Sequence, residues 1–270
     1  MLLLGRFHEP NHTVIRRPMQ NQTTATAHTA NTVDPEEIER FTRMADEWWD
    51  EGGKFRPLHR INPLRIGYIR DHAVRHFDKD ITSMQPLAGL SLLDVGCGGG
   101  LLCEPMTRLG AEVTGIDAGE KNVKVAELHA EQSGLAIDYR HITAEVMVEE
   151  GRQYDVVLAL EIVEHVANVP AFMASLLKLV KPGGLLFMST LNRTAKSFAF
   201  AIVGAEYVLR WLPRGTHNWK KFIKPHELHA ELRKGGLTVH DQCGMVFNPF
   251  SDTWNLSERD LEVNYLLVAG

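Results

Sequence analysis

Cysteine is scarce in this chain. Three residues, Cys97, Cys103 and Cys243, stand among 270. An odd, sparse set without metal-type spacing argues against a disulfide framework and fits a reducing compartment. Long apolar runs are also missing, so nothing approaches the roughly 20 residues of a bilayer-spanning helix. Nor is there an excess of cations. The net charge is -5, which removes the bulk electrostatic reason to expect nucleic acid as a partner. Any cationic surface must therefore be local. Residues 1–33 contain no serine and one acid, Glu9, against Arg6, Arg16 and Arg17. Leu2 to Leu4 is too short for the apolar region of a signal peptide. The stretch reads as a disordered tail, with a transit peptide or a true start at Met19 as the other readings.

Hydrophobic residues, at 44%, are enough for one large domain over 34–270. Asp34-Pro35-Glu36-Glu37 carries the marks of a helix start: a capping acid, a proline at the first position, and acids in the first turn. That helix should run through Ile38, Phe41 and Met44 to Trp48-Trp49. Gly52-Gly53 breaks it, Pro57 to Pro63 reads as a loop, and a second helix should carry Leu64 to Phe77. Short apolar strands then alternate with helical stretches. Strands are expected at 91–95, 112–116, 137–141, 154–160 and 185–189, with helices at 101–110, 121–133 and 169–180. This alternation implies βαβ units and a parallel sheet covered on both faces. A helix at 225–234 and two strands at 237–242 and 263–268 close the chain. No helix fits between those strands, so they should pair antiparallel at the sheet edge. The fold class is α/β, Rossmann-like and seven-stranded.

The informative turn is Asp94-Val95-Gly96-Cys97-Gly98-Gly99-Gly100, which follows a strand and opens a helix. Glycines there let backbone approach a ligand closely, and the helix start offers unpaired N–H groups. Asp117 closes the next strand, where a carboxylate can accept from two ribose hydroxyls. A dinucleotide fingerprint needs G-x-G-x-x-G, and its third glycine is absent: the position falls on Leu101 or Cys103. The form present, with Asp94, Gly96, Gly98 and Gly100 alternating, resembles the first motif of the class I S-adenosylmethionine-dependent methyltransferases. Tyr154 to Glu161 and Leu179 to Gly184 resemble two further segments of that class. The resemblance places Leu160 at the cofactor edge, where it can pack on the adenine, and a residue of Thr143-Ala144-Glu145 beside the adenine.

A narrower resemblance rests on Trp48-Trp49-Asp50, Phe55 to Arg65, Glu161-x-x-Glu164-His165-Val166, Ser189 to Arg193, Val203 to Tyr207, and Gly215-Thr216-His217 with Lys221 to Pro225. Together these are similar to the ubiquinone-biosynthesis O-methyltransferases, over roughly residues 34 to 268. Membership would imply methyl transfer to ring hydroxyls of polyprenyl phenol, catechol or quinol precursors. It also implies cofactor contacts at Arg65, Gly96, Asp117 and Leu160. A guanidinium suits the methionine carboxylate of the cofactor. Other enzymes of the same pathway become candidate partners. The rival functions are methylation of another phenol, a non-catalytic scaffold that binds S-adenosylmethionine, and a nicotinamide oxidoreductase.

A phenol titrates near 10, so its oxygen must lose a proton to act as nucleophile. Glu161, Glu164 and His165 sit at i, i+3 and i+4, which on a helix places them on one face. Three readings stay open. The trio could hold Mg²⁺ or Zn²⁺. His165 could be a general base with a glutamate, Glu164 or Glu161, orienting it. Or the glutamates could satisfy helix N–H groups while His165 is structural. Finally, residues 193–224 hold seven Lys or Arg and one acid, Glu206, interleaved with aromatics. Such a segment suits either an anionic membrane surface or a lid over the substrate. The enzyme is accordingly expected to be cytoplasmic and peripheral at the inner membrane.

Overall fold

A computed structural model describes residues 32–200 and 218–270. The tail, apart from its last two residues, and the middle of the cationic segment lie outside the described residues.

Thr32, the first described residue, is tied to the body of the domain. Thr32 O accepts the Ala167 N–H at 2.8 Å, and its hydroxyl donates to Glu145. Helix α1 (Pro35–Met44) starts as its sequence dictates, with the Asp34 carboxylate accepting the Glu36 N–H. A 3₁₀ turn over Ala45–Glu47 extends it toward Trp48. Helix α2 (Arg56–His76) corrects the expected loop, because it already includes Pro57 and Pro63. Pro57 lies in the first turn, where an N–H has no partner to lose. Pro63 costs one helical hydrogen bond. Burial of Ile61, Tyr68, Ile69, Ala73 and Val74 on the same helix offsets that cost.

The alternating part holds β1 (Ser91–Val95), α3 (Cys103–Arg108), β2 (Glu112–Asp117), α4 (Glu120–Gln132), β3 (Asp138–His141), α5 (Ala144–Glu149), β4 (Tyr154–Leu160), α6 (Val169–Leu179) and β5 (Val180–Leu191). α5 was not expected; six residues give too little periodicity to see. The turn Lys181 to Gly184 is absorbed into β5, whose register with β4 shifts between Tyr154 and Val156. The remainder is α7 (Ala195–Ser197), a 3₁₀ turn at Trp219–Lys221, α8 (Pro225–Lys234), β6 (Val239–Asn248), β7 (Thr253–Ser257) and β8 (Asn264–Ala269).

The sheet has eight strands in the order β3-β2-β1-β4-β5-β8-β6-β7. The first five are mutually parallel. β8 is antiparallel to both β5 and β6. The expected antiparallel pair exists, but β8 is interior and fully buried rather than at the edge. The edge is the polar β7, antiparallel to β6 and unannounced by its sequence Thr-Trp-Asn-Leu-Ser. One core layer packs α2, α3 and α4 on one face of the sheet. The other packs α5, α6 and α8 on the opposite face. Because β8 runs backwards, its first residue, Asn264, lies at the carboxyl ends of the parallel strands. That edge is where ligands of open α/β sheets bind.

Candidate active site

β1 delivers the chain into the glycine turn. Gly96 has φ +76°, and a Cβ there would meet Ile162 Cδ1 at 2.2 Å. Gly98 has φ +53°, and its Cβ would strike the Trp48 ring at 2.5 Å. Both conformation and space therefore demand glycine. The Asp117 carboxylate ties the turn to β2. It accepts the Gly98 N–H at 3.0 Å on one oxygen, and the Gly119 N–H at 2.7 Å and Asn122 amide at 3.0 Å on the other. Burial raises the Asp117 pKa, and those three donors oppose the rise. Asp94 is buried beneath the turn and accepts the Cys103 thiol, Sγ to Oδ2 3.3 Å. Burial pushes its pKa up to about 7, against that hydrogen bond and the Arg65 charge, with the Asp117 charge assisting.

The tryptophan pair closes this cradle from the N-terminal side. Trp48 donates to Asn122 Oδ1 at 3.0 Å and stacks on Phe55, with centroids 3.7 Å apart. Trp49 donates to Gly99 O at 2.9 Å. Sequence reasoning noted the pair without its role, because its hydrogen bonds span 50 residues or more.

Arg65 enters from α2 and is 3% exposed. Its Nη2 lies 2.7 Å from Glu161 Oε1 but is poorly aligned for a hydrogen bond, and its Nε has no acceptor. Burial lowers its pKa, and the Glu161 charge opposes the drop. A buried guanidinium with donors left over is suited to a ligand carboxylate. The same cavity is lined by Gly96, Gly98, Asp117 and Leu160, so these residues fit S-adenosylmethionine.

The trio after β4 is built differently from the expected helical face. Glu161 adopts φ +51°, and only a 3₁₀ turn, Val163–His165, follows. Glu161 pairs with Arg65 and accepts the Ser189 hydroxyl at 2.7 Å. Glu164 is buried and accepts the Thr190 hydroxyl at 2.9 Å. Burial, with the Glu161 charge, raises its pKa. His165 Nδ1 sits 3.0 Å from Glu37 Oε2 on α1. Among the described residues no three His, Cys, Asp or Glu side chains are gathered to hold a metal ion. In this arrangement each member of the trio has its own partner: Arg65 for Glu161, Thr190 for Glu164 and Glu37 for His165. A partner of His165 that its local sequence does not announce is Glu37, 128 residues away. Burial opposes protonation of His165, yet the Glu37 hydrogen bond and the charges of Glu164, Glu37 and Glu161 raise its pKa.

The cationic segment is partly neutralised where it is described. Arg193 pairs with Glu227; Lys196 with Asp260 and Glu262; Lys221 with Asp34 at 2.8 Å. Its centre, 201–217, lies outside the described residues.

The cradle, Arg65, Glu161, Glu164, His165 and Glu37 line one cavity of about 740 Å³. One end is the glycine cradle with Asp94, Gly96, Gly98, Asp117 and Leu160; the middle is Arg65, Glu161, Glu164 and His165. The lining also has an apolar part, with Ile61, Met245, Phe247, Trp254 and Phe200. Asn264 also lines it.

The parallel sheet, its glycine cradle and the ribose-type carboxylate define an S-adenosylmethionine-dependent methyltransferase. A methyltransferase-domain family matches residues 65–242. The fold also matches a magnesium protoporphyrin IX methyltransferase from Synechocystis PCC 6803 solved with bound SAH. The TM-score is 0.62 at 20% identity, covering 86% of this chain and 96% of that one. Sequence relatives narrow the class. A ubiquinone biosynthesis O-methyltransferase of Cereibacter sphaeroides (strain KD131) is 58% identical over 89% of this chain and 97% of its own. One from Ruegeria pomeroyi is 59% identical over 88% of this chain and 96% of its own. The chain belongs to the ubiquinone biosynthesis O-methyltransferases.

Proposed function

We propose that the chain transfers the methyl group of S-adenosylmethionine to ring hydroxyls of polyprenyl phenol and catechol precursors, at both O-methylation steps of ubiquinone biosynthesis. The supporting observation is the single cavity that joins the cofactor cradle to an apolar lobe through Arg65, Glu161 and His165. The cofactor supplies a methyl group on a sulfonium, an electrophile that needs alignment rather than activation. Arg65 and Asp117 hold the two ends of that ligand, and Gly96 and Gly98 let it lie against backbone. The apolar lobe excludes water and takes the ring and the first part of the tail. His165 takes the phenolic proton. Donation from its Nδ1–H to Glu37 fixes the tautomer with the lone pair on Nε2. Glu164, buried beside it, favours the imidazolium that results. Arg65 on Glu161 keeps the second carboxylate neutralised until a ligand carboxylate competes for the guanidinium.

We infer further that the enzyme works as a cytoplasmic, peripheral protein at an anionic membrane surface. Support comes from Phe198, Phe200 and Phe250, which are exposed, and from the cations and aromatics of 193–224. No helix among the described residues is long and apolar enough to cross a membrane. The test of the function is mass spectrometry of labelled methyl transferred to a demethylated quinol. Label on the ring oxygen is expected. Transfer only to nitrogen or carbon acceptors would overturn the assignment.

A further inference from the structure

Asn264 is a cavity-lining buried polar group that the cofactor site does not explain. It opens β8 at the carboxyl edge of the sheet, is 7% exposed, and lines the cavity. Its amide oxygen has no hydrogen-bond partner among the described residues. An unmatched buried acceptor costs about 1–3 kcal/mol, so a position that keeps one is suited to a donor that arrives with a ligand.

Its placement says which part of the ligand. Asn264 stands opposite Leu191 in the β5–β8 pair, and Leu266 opposite Ser189. Directly opposed residues share a face, as do residues two apart on one strand. Asn264, Leu191 and Ser189 therefore point the same way, and Ser189 is the residue whose hydroxyl holds Glu161. The orphan acceptor thus lies along the strand pair from the Arg65–Glu161 cluster, toward the apolar lobe formed by Met245 and Phe247. The cofactor's charged end is met by Arg65. A ring seated between that cluster and the apolar lobe presents its second oxygen to Asn264.

We propose that the Asn264 amide oxygen accepts a hydrogen bond from the ring hydroxyl adjacent to the one being methylated, making it the residue that selects ortho-diols. The inference rests on the phenolic-acceptor reading of the preceding section. It has a chemical corollary. A catechol or quinol carries an O–H to donate, whereas a quinone or an ether at that position leaves two acceptors facing each other. A site built around an unpaired buried acceptor discriminates strongly against ligands that lack the donor.

The experiment uses the full chain with SAH present and reads binding of three probes by calorimetry: 3-prenylcatechol, and the two mono-phenols that lack one or the other of its hydroxyls. The variants are Asn264→Leu, of similar shape without the acceptor, and Asn264→Asp, which retains it. Wild type should bind the catechol at least about tenfold more tightly than the better mono-phenol. In Asn264→Leu that preference should collapse to within about threefold, through weaker catechol binding. Asn264→Asp should keep the preference. Unchanged preference in Asn264→Leu, or an equal loss for all three probes with SAH affinity intact, overturns the proposal. Wild type that binds and methylates none of these phenols would instead overturn the phenolic reading itself, so the two failures are separable.

Discussion

At the scale of single residues, the site is a set of buried charges, each held by a specific partner. Arg65 is balanced by Glu161 on one side and has unused donors on the other. Arg65→Lys should keep a positive charge but lose the planar fork. The KM for S-adenosylmethionine should rise about ten- to a hundredfold with a smaller change in kcat; an unchanged KM would remove Arg65 from cofactor binding. Glu37 and His165 form a pair of a different kind. His165→Gln should lower kcat by about 10²–10⁴-fold, the usual share of a general base. Glu37→Gln should lower kcat less, with SAH affinity unchanged. Equal and slight effects of both variants would reduce His165 to a structural role. Asp94 gives a pH prediction. Its folded pKa, about 7, is raised above the ordinary aspartate value near 3.8, chiefly by burial. The folded state thus binds this proton more tightly than the unfolded chain does. The stabilisation is complete below about 4 and is lost as pH rises through about 7, with an upper bound of about 4 kcal/mol. Thermal unfolding of the cofactor-free protein should fall from pH 5 to pH 8, and Asp94→Asn should flatten that fall. Identical slopes would show that Asp94 is ionised throughout.

At the scale of elements, what could be read from the sequence was local and what could not was tertiary. Helix α1 was legible from Asp34, Pro35 and its first-turn acids, because caps are written in adjacent residues. The glycine turn was legible because strand, turn and helix follow one another directly over residues 91–108. The start of α2 was not, since two prolines argue for a loop and only burial of the helix face overrules them. The Glu161–Glu164–His165 spacing suggested a shared face; a left-handed Glu161 and a 3₁₀ turn redirected each group to its own partner. Glu37, Asn122 and Asn264 left no local signal at all. Their roles come from α1, α4 and β8 meeting at one edge of the sheet. The Trp48 contact joins two such distant elements. Trp48→Ala removes the ring that lies over Gly98 and stacks on Phe55. Large-to-small changes at buried aromatics cost about 3–5 kcal/mol. Here the loss should fall mainly on the attachment of α1 and its 3₁₀ turn, not on the sheet. SAH affinity should drop at least about tenfold, and limited proteolysis near residues 45–55 should accelerate, while far-ultraviolet circular dichroism stays close to wild type. Wild-type affinity in this variant would show that the cradle stands without its N-terminal cover.

At the scale of the whole molecule, a net charge of -5 has to be reconciled with an anionic membrane. The sheet and its helices place the catalytic cavity at one edge, and its apolar end opens beside Phe200 and the β6–β7 hairpin. Phe250, at the tip of that hairpin, is fully exposed. The seven cations of 193–224 look sufficient for electrostatic binding when counted along the chain, where each is worth about 1 kcal/mol near an anionic surface. Three of them, Arg193, Lys196 and Lys221, are instead spent on Glu227, Asp260, Glu262, Asp34 and Glu37. Under the proposed membrane contact, long-range attraction is thereby reduced, and insertion of aromatics supplies the salt-resistant part of the binding. Flotation with vesicles containing anionic phospholipid should carry the intact protein upward, and a substantial fraction should stay bound at 0.5 M salt, where screening removes charge attraction. Replacing Phe198 and Phe250 together by serine should abolish the salt-resistant fraction without changing turnover of a short-chain, water-soluble catechol, because neither residue lines the cavity. Complete release of the wild type by salt would assign the contact to charge alone. No flotation at any salt would show that the cavity receives its substrate without the protein touching the bilayer.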